Sequence, residues 1–368
     1  MINRASTIHV LHVDSGQEWQ SVRDQVRLLV QGLRERPEVR QAVATHERSR
    51  LAAECVELGI PVIPLPWFSD TDPLALRDLA RHARDAWDVY HTHDATALAL
   101  MLYIQALVGS DAAVVASRRF SAPPRSVARW HRADVVLAVS GPARDALVDR
   151  GVDRRRVHVV PNCVVAEEPA DVVDGALRSA VGAQPEHRLI ASFTGLNPHR
   201  DHATLIRAID LLRQRAPAAR FVVLGRGGER RFLEDLVEEH DLDGRICLPG
   251  FLPDARKYMG ELDVFVMPSL REEVTSACLE AMVAGVPVVM PASDRSAGAE
   301  EAPWEAVPPR DPEALAAAIE RLLRDGRHRD ALVRRGRAFA LRHGPPALVR
   351  RTLSAYRVAD RQRRRRAS

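Results

Sequence analysis

The sequence predicts an α/β protein made of two doubly wound parallel-sheet domains, and three observations predict it. Short β-branched, apolar runs alternate with amphipathic helical stretches, as in parallel sheets covered on both faces by helices. The alternation lapses once, over residues 164–186, where Ala, Asp, Glu and Pro dominate, and then restarts. A chain of 368 residues, 46% hydrophobic and 28% charged, is long enough to bury two cores of ordinary size.

In the first half the strands are expected at Ile8–Val13, Ala42–Thr45, Val62–Leu65, Val89–His93, Ala113–Ser117, Val135–Ser140 and Val157–Pro161. Helical periodicity falls between them at Val22–Arg36, Arg48–Leu58, Leu74–Trp87, Ala95–Leu107 and Pro142–Arg150. After the lapse, strands are expected at Leu189–Thr194, Phe221–Leu224, Ile246–Leu248, Val264–Met267 and Val286–Met290. Helices are expected at Ala203–Arg213, Glu229–His240 and Ser276–Ala284. Asp311-Pro312 is a good helix start, and three helical stretches follow it without a strand. Ligands bind open α/β sheets at the carboxyl ends of strands, so the loops after strands are the places to look for chemistry.

Composition excludes several classes. No apolar run approaches the ~20 residues needed to span a bilayer. The stretch Met1–His9 carries no apolar signal core, so the expectation is a cytoplasmic protein. Cys55, Cys163, Cys247 and Cys278 lie far apart with no C-x-x-C pair, which reads as free thiols and not as a disulfide or zinc site. The formal net charge is +4, and Arg361, Arg363, Arg364, Arg365 and Arg366 account for all of it. Basicity confined to residues 361–368 argues against nucleic acid as a partner. Such a tail reads either as a solvated end or as a peripheral contact with anionic lipid headgroups on the inner face of the membrane.

The stretch Met267–Pro287 is the richest in chemistry. A strand ends at Pro268-Ser269, a loop carries Glu272, and a helix starting near Ser276 holds Glu280 eight residues further on. Free N–H groups at a helix start favour a diphosphate. A carboxylate within the helix can accept hydrogen bonds from ribose, and one on the loop can hold sugar hydroxyls. By themselves, two glutamates at this spacing equally suit capping and solvent. His91 and His93 share one face of their strand, which admits a metal pair, although the sequence offers no third ligand. Gly225-Arg226-Gly227-Gly228 after a strand suggests a dinucleotide turn, but Arg230 stands where a third glycine would be.

The run Ser269, Glu272, Leu279-Glu280-Ala281-Met282, Gly285, Pro287-Val288-Val289 resembles the S-x-x-E, x7, E-A-M-x-x-G-x-P-V-V pattern of retaining glycosyltransferases of family 4. These have the GT-B fold, two Rossmann-like domains facing each other across a cleft. The resemblance covers nearly the whole chain. Tyr90-His91-Thr92-His93-Asp94 is similar to the family's H-x-H segment, Val159–Asn162 to its V-P-N, and Gly195–His202 to its G-R-L-x-P-x-K-G-H. Pro308, Asp311, Pro312, Glu313, Ala314 and Leu315 follow its P-P-G-D-P-E-A-L.

The resemblance implies a nucleotide-sugar donor, a glycan or lipid-linked acceptor in the cell envelope, and no metal or other cofactor. It places His93 near the transferred sugar, Arg200 in the position of the lysine that neutralises the diphosphate, and Glu272 and Glu280 on sugar and ribose. Gly16, Gly195, Gly225, Gly227, Phe251, Leu252, Glu273, Val274, Thr275 and Ser276 fall at positions that line the nucleotide sugar. It also implies an acceptor-side domain over 1–165, a linker over 166–186 and a donor domain over 187–344. A helix over 345–360 would return to the first domain, ahead of the 361–368 tail.

Four places depart from the pattern. Glu18–Val22 lacks the glycine pair that follows the first strand, and Glu273-Val274-Thr275 replaces G-F-G. The Arg of G-R-L is missing beside Leu196, and Cys163 and Val165 replace the Gly and Asp after V-P-N. Arg119, Arg125 and Arg226 are the cations left to compensate. These departures define the alternative, an impaired homologue serving as a binding or scaffolding subunit.

Overall fold

In a computed structural model the chain divides into two compact units, residues 1–163 with 345–368, and residues 164–344. The structure describes residues 7–16, 21–66, 73–119, 126–166, 175–252, 254–271, 274–292 and 302–367.

The amino-terminal unit alternates β1 (Ile8–Val13), α1 (Ser21–Arg34), β2 (Val39–His46), α2 (Arg50–Glu57), β3 (Val62–Leu65), α3 (Pro73–His82) and β4 (Val89–Thr92). It continues with α4 (Ala95–Val108), β5 (Ala113–Arg118), α5 (Ala128–Arg132), β6 (Val135–Ala138), α6 (Gly141–Val148) and β7 (Val157–Val159). All pairings are parallel, in the order β3-β2-β1-β4-β5-β6-β7. β4, β5 and β6 are buried at every residue, which is why they read as unbroken apolar runs.

The carboxyl-terminal unit holds α7 (Ala176–Ala180), β8 (Arg188–Phe193), α8 (His202–Arg215), β9 (Ala219–Leu224), α9 (Arg230–Glu239), β10 (Ile246–Gly250) and β11 (Val264–Val266). Then follow α10 (Ser276–Val283), β12 (Val288–Pro291), β13 (Glu305–Val307), α11 (Pro312–Arg324) and α12 (Gly326–Leu341). Its sheet is also parallel, in the order β10-β9-β8-β11-β12-β13. Counted from its own first strand this is 3-2-1-4-5-6, the Rossmann order, and the amino-terminal sheet repeats it with one strand added. β13 has no counterpart among the expected strands. At three residues, with a half-buried Glu-Ala lead, it lacks the apolar run by which strands are read.

Helix starts follow capping chemistry. Ser49, Asp94, Ser140, Thr275, Asp311 and Asp325 each accept a backbone N–H from the first turn of their helix. Asp311 does so with Pro312 at the first helical position, as its sequence suggested.

The last helix, α13 (Pro345–Ala367), belongs to the amino-terminal unit. A Cβ on Gly32 would lie 2.6 Å from Val349 Cγ2, so the missing side chain lets α1 and α13 approach closely. α13 does not give way to a separate tail at residue 361. Arg363 binds Asp88 at 2.6 Å and Asp360 at 2.9 Å, Arg364 binds Asp360 at 2.8 Å, and Arg366 pairs with Asp134. The basic run is thus the end of a docked helix, part of its charge answered by acids distant in sequence. No helix among the described residues is long and apolar enough to cross a membrane.

Candidate functional site

In both sheets the strand order reverses beside the first strand, between β1 and β4 and between β8 and β11. Crevices at the carboxyl ends of such strand pairs are where doubly wound folds bind ligands.

In the carboxyl-terminal unit, β8 leads through Thr194–Asn197 into a 3-10 turn, Pro198–Arg200, and then α8. Arg200 Nη1 donates to Ser269 Oγ at 3.0 Å and lies 3.9 Å from Met267 Sδ. Leu270 N donates to the His199 carbonyl at 3.0 Å. The loops after β8 and β11 are therefore clasped, and the expected cation sits at the switch point. Burial, reinforced by the Arg200 charge, lowers the His202 imidazole to about 4 and keeps it neutral. Arg200 is then a fixed cation at this edge.

α10 begins at Ser276 as expected, with Thr275 as its N-cap: Thr275 Oγ1 accepts from Cys278 N at 3.3 Å. Thr275 thus serves the helix terminus, while the first-turn amides of Ser276 and Ala277 have no acceptor within the helix. Half-buried Glu280 follows one turn in. Half-buried Val274 packs on the apolar core of this unit. Glu272 and Glu273 lie outside the described residues, as does Arg125.

The turn after β9 has a different reason for its glycines than a dinucleotide fingerprint. A Cβ on Gly225 would fall 1.9 Å from the Thr194 carbonyl oxygen, and one on Gly227 would fall 1.9 Å from that of Leu196. Leu196 N donates to Arg226 O at 2.9 Å, and Glu229 N to Leu196 O at 3.2 Å. The glycines let two loops pair backbone to backbone and so shape the rim. Gly195 is less constrained, its nearest neighbour being Asn197 Nδ2 at 3.4 Å. Beyond the rim Phe251 is 44% exposed, and the Arg226 guanidinium stands 5.5 Å from its ring centre. Leu252 packs inward on the core. Arg226 is thereby committed to an aromatic face, in the manner of a cation–π pair.

In the amino-terminal unit the structure supplies the third imidazole that the sequence did not reveal. His12 on β1 joins His91 and His93, and their ring nitrogens lie within 4.8 Å of one another. His12 Nδ1 and His93 Nε2 are 3.0 Å apart, with ring centres at 5.3 Å and planes within 10°. Nitrogens that face each other along the line of centres of coplanar rings share one proton in an N–H···N hydrogen bond. A chelated metal instead needs both lone pairs to converge on a third point. His91 is held by Tyr356 Oη at 2.7 Å and Ser117 Oγ at 2.8 Å. Burial holds all three imidazoles neutral, taking His12 down to about 3 and His91 and His93 well below the ordinary value. The nearby Arg119 charge lowers His91 and His93 further. That cation also opposes a second cation among the rings.

Asp14–Gly16, the described start of the loop after β1, is held by side chains; Glu18–Gln20, where the expected glycine pair is lacking, lie outside the described residues. Asp94 caps α4 and also receives Ser15 N at 2.8 Å and Ser15 Oγ at 2.7 Å. Asp14 accepts from Arg23 Nε at 3.3 Å, and the Arg23 guanidinium occupies the space over Gly16, 1.2 Å from where a Cβ would lie. Gly16 therefore accommodates an ion pair. Cys163, in the family's glycine position, is held by a reciprocal amide pair: Cys163 N donates to Gln25 Oε1 at 2.7 Å, and Gln25 Nε2 to Cys163 O at 2.8 Å. Burial pushes its thiol up to about 12, so it stays protonated.

The fold brings the expected His93 to the amino-terminal switch point, and Arg200, Ser269 and the start of α10 to the carboxyl-terminal one. Sequence reasoning missed His12 and the buried setting of Arg119, because only strand pairing places β1, β4 and β5 side by side.

Comparison with known proteins agrees with this architecture. Residues 22–168 match the model of Glycosyltransferase Family 4, and residues 175–339 match that of Glycosyl transferases group 1. A 2-deoxystreptamine N-acetyl-D-glucosaminyltransferase of Streptomyces fradiae is 33% identical over 217 residues, 56% of this chain and 51% of that protein. The lipopolysaccharide core biosynthesis glycosyltransferase LpsE of Rhizobium meliloti is 34% identical over 138 residues, 36% of this chain and 38% of that protein. This chain spans about half or less of the length of these curated relatives. The fold matches that of Anabaena Alr3699/HepE, crystallised in complex with UDP-glucose, with a TM-score of 0.79 over 95% of this chain and 100% of that one, at 18% identity. On these matches and its two Rossmann-ordered sheets, the chain belongs to the GT-B glycosyltransferases, with a family 4 domain followed by a group 1 domain.

Proposed function

We propose that this chain moves a sugar from a nucleoside-diphosphate sugar to an acceptor hydroxyl with retention of configuration. The observation that carries the reading is the Arg200–Ser269 bond, which holds a guanidinium at the carboxyl-terminal switch point, on the loop that leads into α10. A diphosphate leaving group gathers negative charge as the glycosidic bond breaks. A fixed cation and the first-turn amides of a helix stabilise that charge without reorganising.

In this reading Phe251 offers an exposed aromatic face to the base, and Glu280 accepts from ribose hydroxyls. His93 and Glu272 act on the transferred sugar. Arg200 supplies the countercharge that a divalent metal provides in other transferases, so turnover persists in EDTA. The complex of the Anabaena protein with UDP-glucose supports a uridine donor. The Rhizobium relative's place in lipopolysaccharide core biosynthesis supports a cell-envelope glycan or lipid-linked glycan as acceptor.

The test is turnover of a panel of UDP- and GDP-sugars, with the product's anomeric configuration read by NMR. Arg200→Ala is expected to lower kcat by about 10²–10³-fold, the typical consequence of removing one charge-stabilising donor. An unchanged rate removes Arg200 from the reaction, and an inverted product removes retention.

A further inference from the structure

Buried polar side-chain atoms nearly always find a partner, and each exception calls for an explanation. At the carboxyl ends of β1, β4 and β5, which are neighbours in the sheet, several have none: His12 Nε2, Asp14 Oδ1, His93 Nδ1, and Arg119 Nε and Nη1. Arg119 is the most costly of these. It follows β5 directly, is only 7% exposed, and forms no ion pair among the described residues. A guanidinium is always charged, and a charge is held inside a protein only when something compensates it. The groups around it do not. His91 and His93 are neutral, and burial keeps both Cys163 and Tyr356 protonated. Arg118 next to it, by contrast, lies over the Trp130 ring at 5.4 Å.

We propose that Arg119 anchors an oxyanion, the carboxylate or phosphate of a ligand held at the switch point of the amino-terminal sheet. Its fork of N–H donors matches either group bidentately. His93, neutral and with its Nδ1 unpartnered, can add a hydrogen bond without competing for the charge. The anion comes either from the donor's phosphates or from an acidic acceptor such as a uronic acid or sugar phosphate. The inference meets the glycosyl-transfer reading in its ligand, but it is read out in binding alone.

The experiment titrates the full chain with inorganic phosphate, UDP and glucuronate at low ionic strength, by calorimetry and thermal shift. Wild type, Arg119→Met, Arg119→Lys and Arg200→Ala are compared, the last with and without Arg119→Met. Wild type is expected to bind at least one probe, with affinity falling tenfold or more in Arg119→Met and within about fivefold of wild type in Arg119→Lys. With its uncompensated charge removed, ligand-free Arg119→Met is expected to melt roughly 3 °C or more above wild type. Dependence of phosphate and UDP binding on Arg119 in the Arg200→Ala background identifies a phosphoryl ligand. Dependence confined to glucuronate identifies an acidic acceptor. Equal affinity of wild type and Arg119→Met for every probe overturns the proposal, as does a wild type that binds none at millimolar concentration. Loss of binding in Arg119→Met from a protein that makes no glycosyl product leaves this site standing and sinks the transfer reading instead.

Discussion

The two switch points share a topology and differ in how their polar groups are satisfied. At the carboxyl-terminal one, Arg200 bonds Ser269, Thr275 caps α10, and glycines zip the rim loops together. At the amino-terminal one, imidazoles, a carboxylate and a guanidinium are buried with bonding atoms unanswered. The same strand order therefore carries a largely satisfied polar edge in one unit and a buried cluster of unpartnered polar atoms in the other. Topology fixes where a ligand goes; the burial of the local polar groups decides which chemistry the site keeps in reserve.

Substitutions in each unit test this contrast. The largest effect on stability is expected at Gly227. Its added Cβ would meet the Leu196 carbonyl oxygen at 1.9 Å, and backbone cannot yield as a side-chain tip does. Gly227→Ala should cost about 2–4 kcal/mol in denaturant unfolding, in the range of overpacked, strained sites. Gly195→Ala, with its nearest atom at 3.4 Å, should cost far less.

A second effect separates the units by pH. His12, His91 and His93 have folded-state values well below the unfolded value of ~6.5. Below that pH the unfolded chain takes up protons that the folded chain refuses, so stability is full above ~6.5 and falls as pH drops toward 3. His202, at about 4, adds one proton to the same trend from the other unit. Asp14 runs the other way. Burial raises it to about 6, so between its unfolded ~3.9 and that value the folded state holds the extra proton and offsets one histidine. Stability measured between pH 7 and 4.5 should therefore fall, and His12→Phe should flatten the slope by about one proton. A slope that His12→Phe leaves intact would show that the imidazole is not held neutral.

The smallest effect concerns two positions where the resemblance calls for glycine and the chain has another residue. Asp201 and Arg310 both keep a left-handed backbone, with φ of 46° and 60°. Arg310 is exposed, so Arg310→Gly should stabilise by about 0.5–1 kcal/mol through relief of that conformation. Asp201 is partly compensated, since its Oδ2 accepts from Thr204 Oγ1 at 2.8 Å, and it should gain less.

These positions also show what the sequence could and could not convey. The alternation of runs and helices placed nearly every strand, because strands buried on both faces leave an unbroken apolar signature. β13 escaped because its three residues are neither long nor fully buried. The start of α10 near Ser276 was legible, whereas the Thr275 cap that fixes it emerges only in the structure. The Arg363–Asp88 and Arg366–Asp134 pairs were not legible, because they join residues far apart in sequence, and a charge run read locally looks solvated. Gly225 and Gly227 stood out, but their reason lies in a loop some thirty residues upstream. His12 carries no local mark; only its register opposite His91 in the β1–β4 pair brings it to the cluster.

The most direct test of the central claim, that the carboxyl-terminal switch point holds a nucleoside diphosphate, is calorimetric titration of UDP and GDP into wild type and Arg200→Ala. Saturable binding of at least one nucleotide to wild type is expected, with at least a tenfold weaker Kd in Arg200→Ala, the scale of a charge-assisted phosphate contact. Equal affinity in both proteins, or no binding of either nucleotide to wild type, would contradict it.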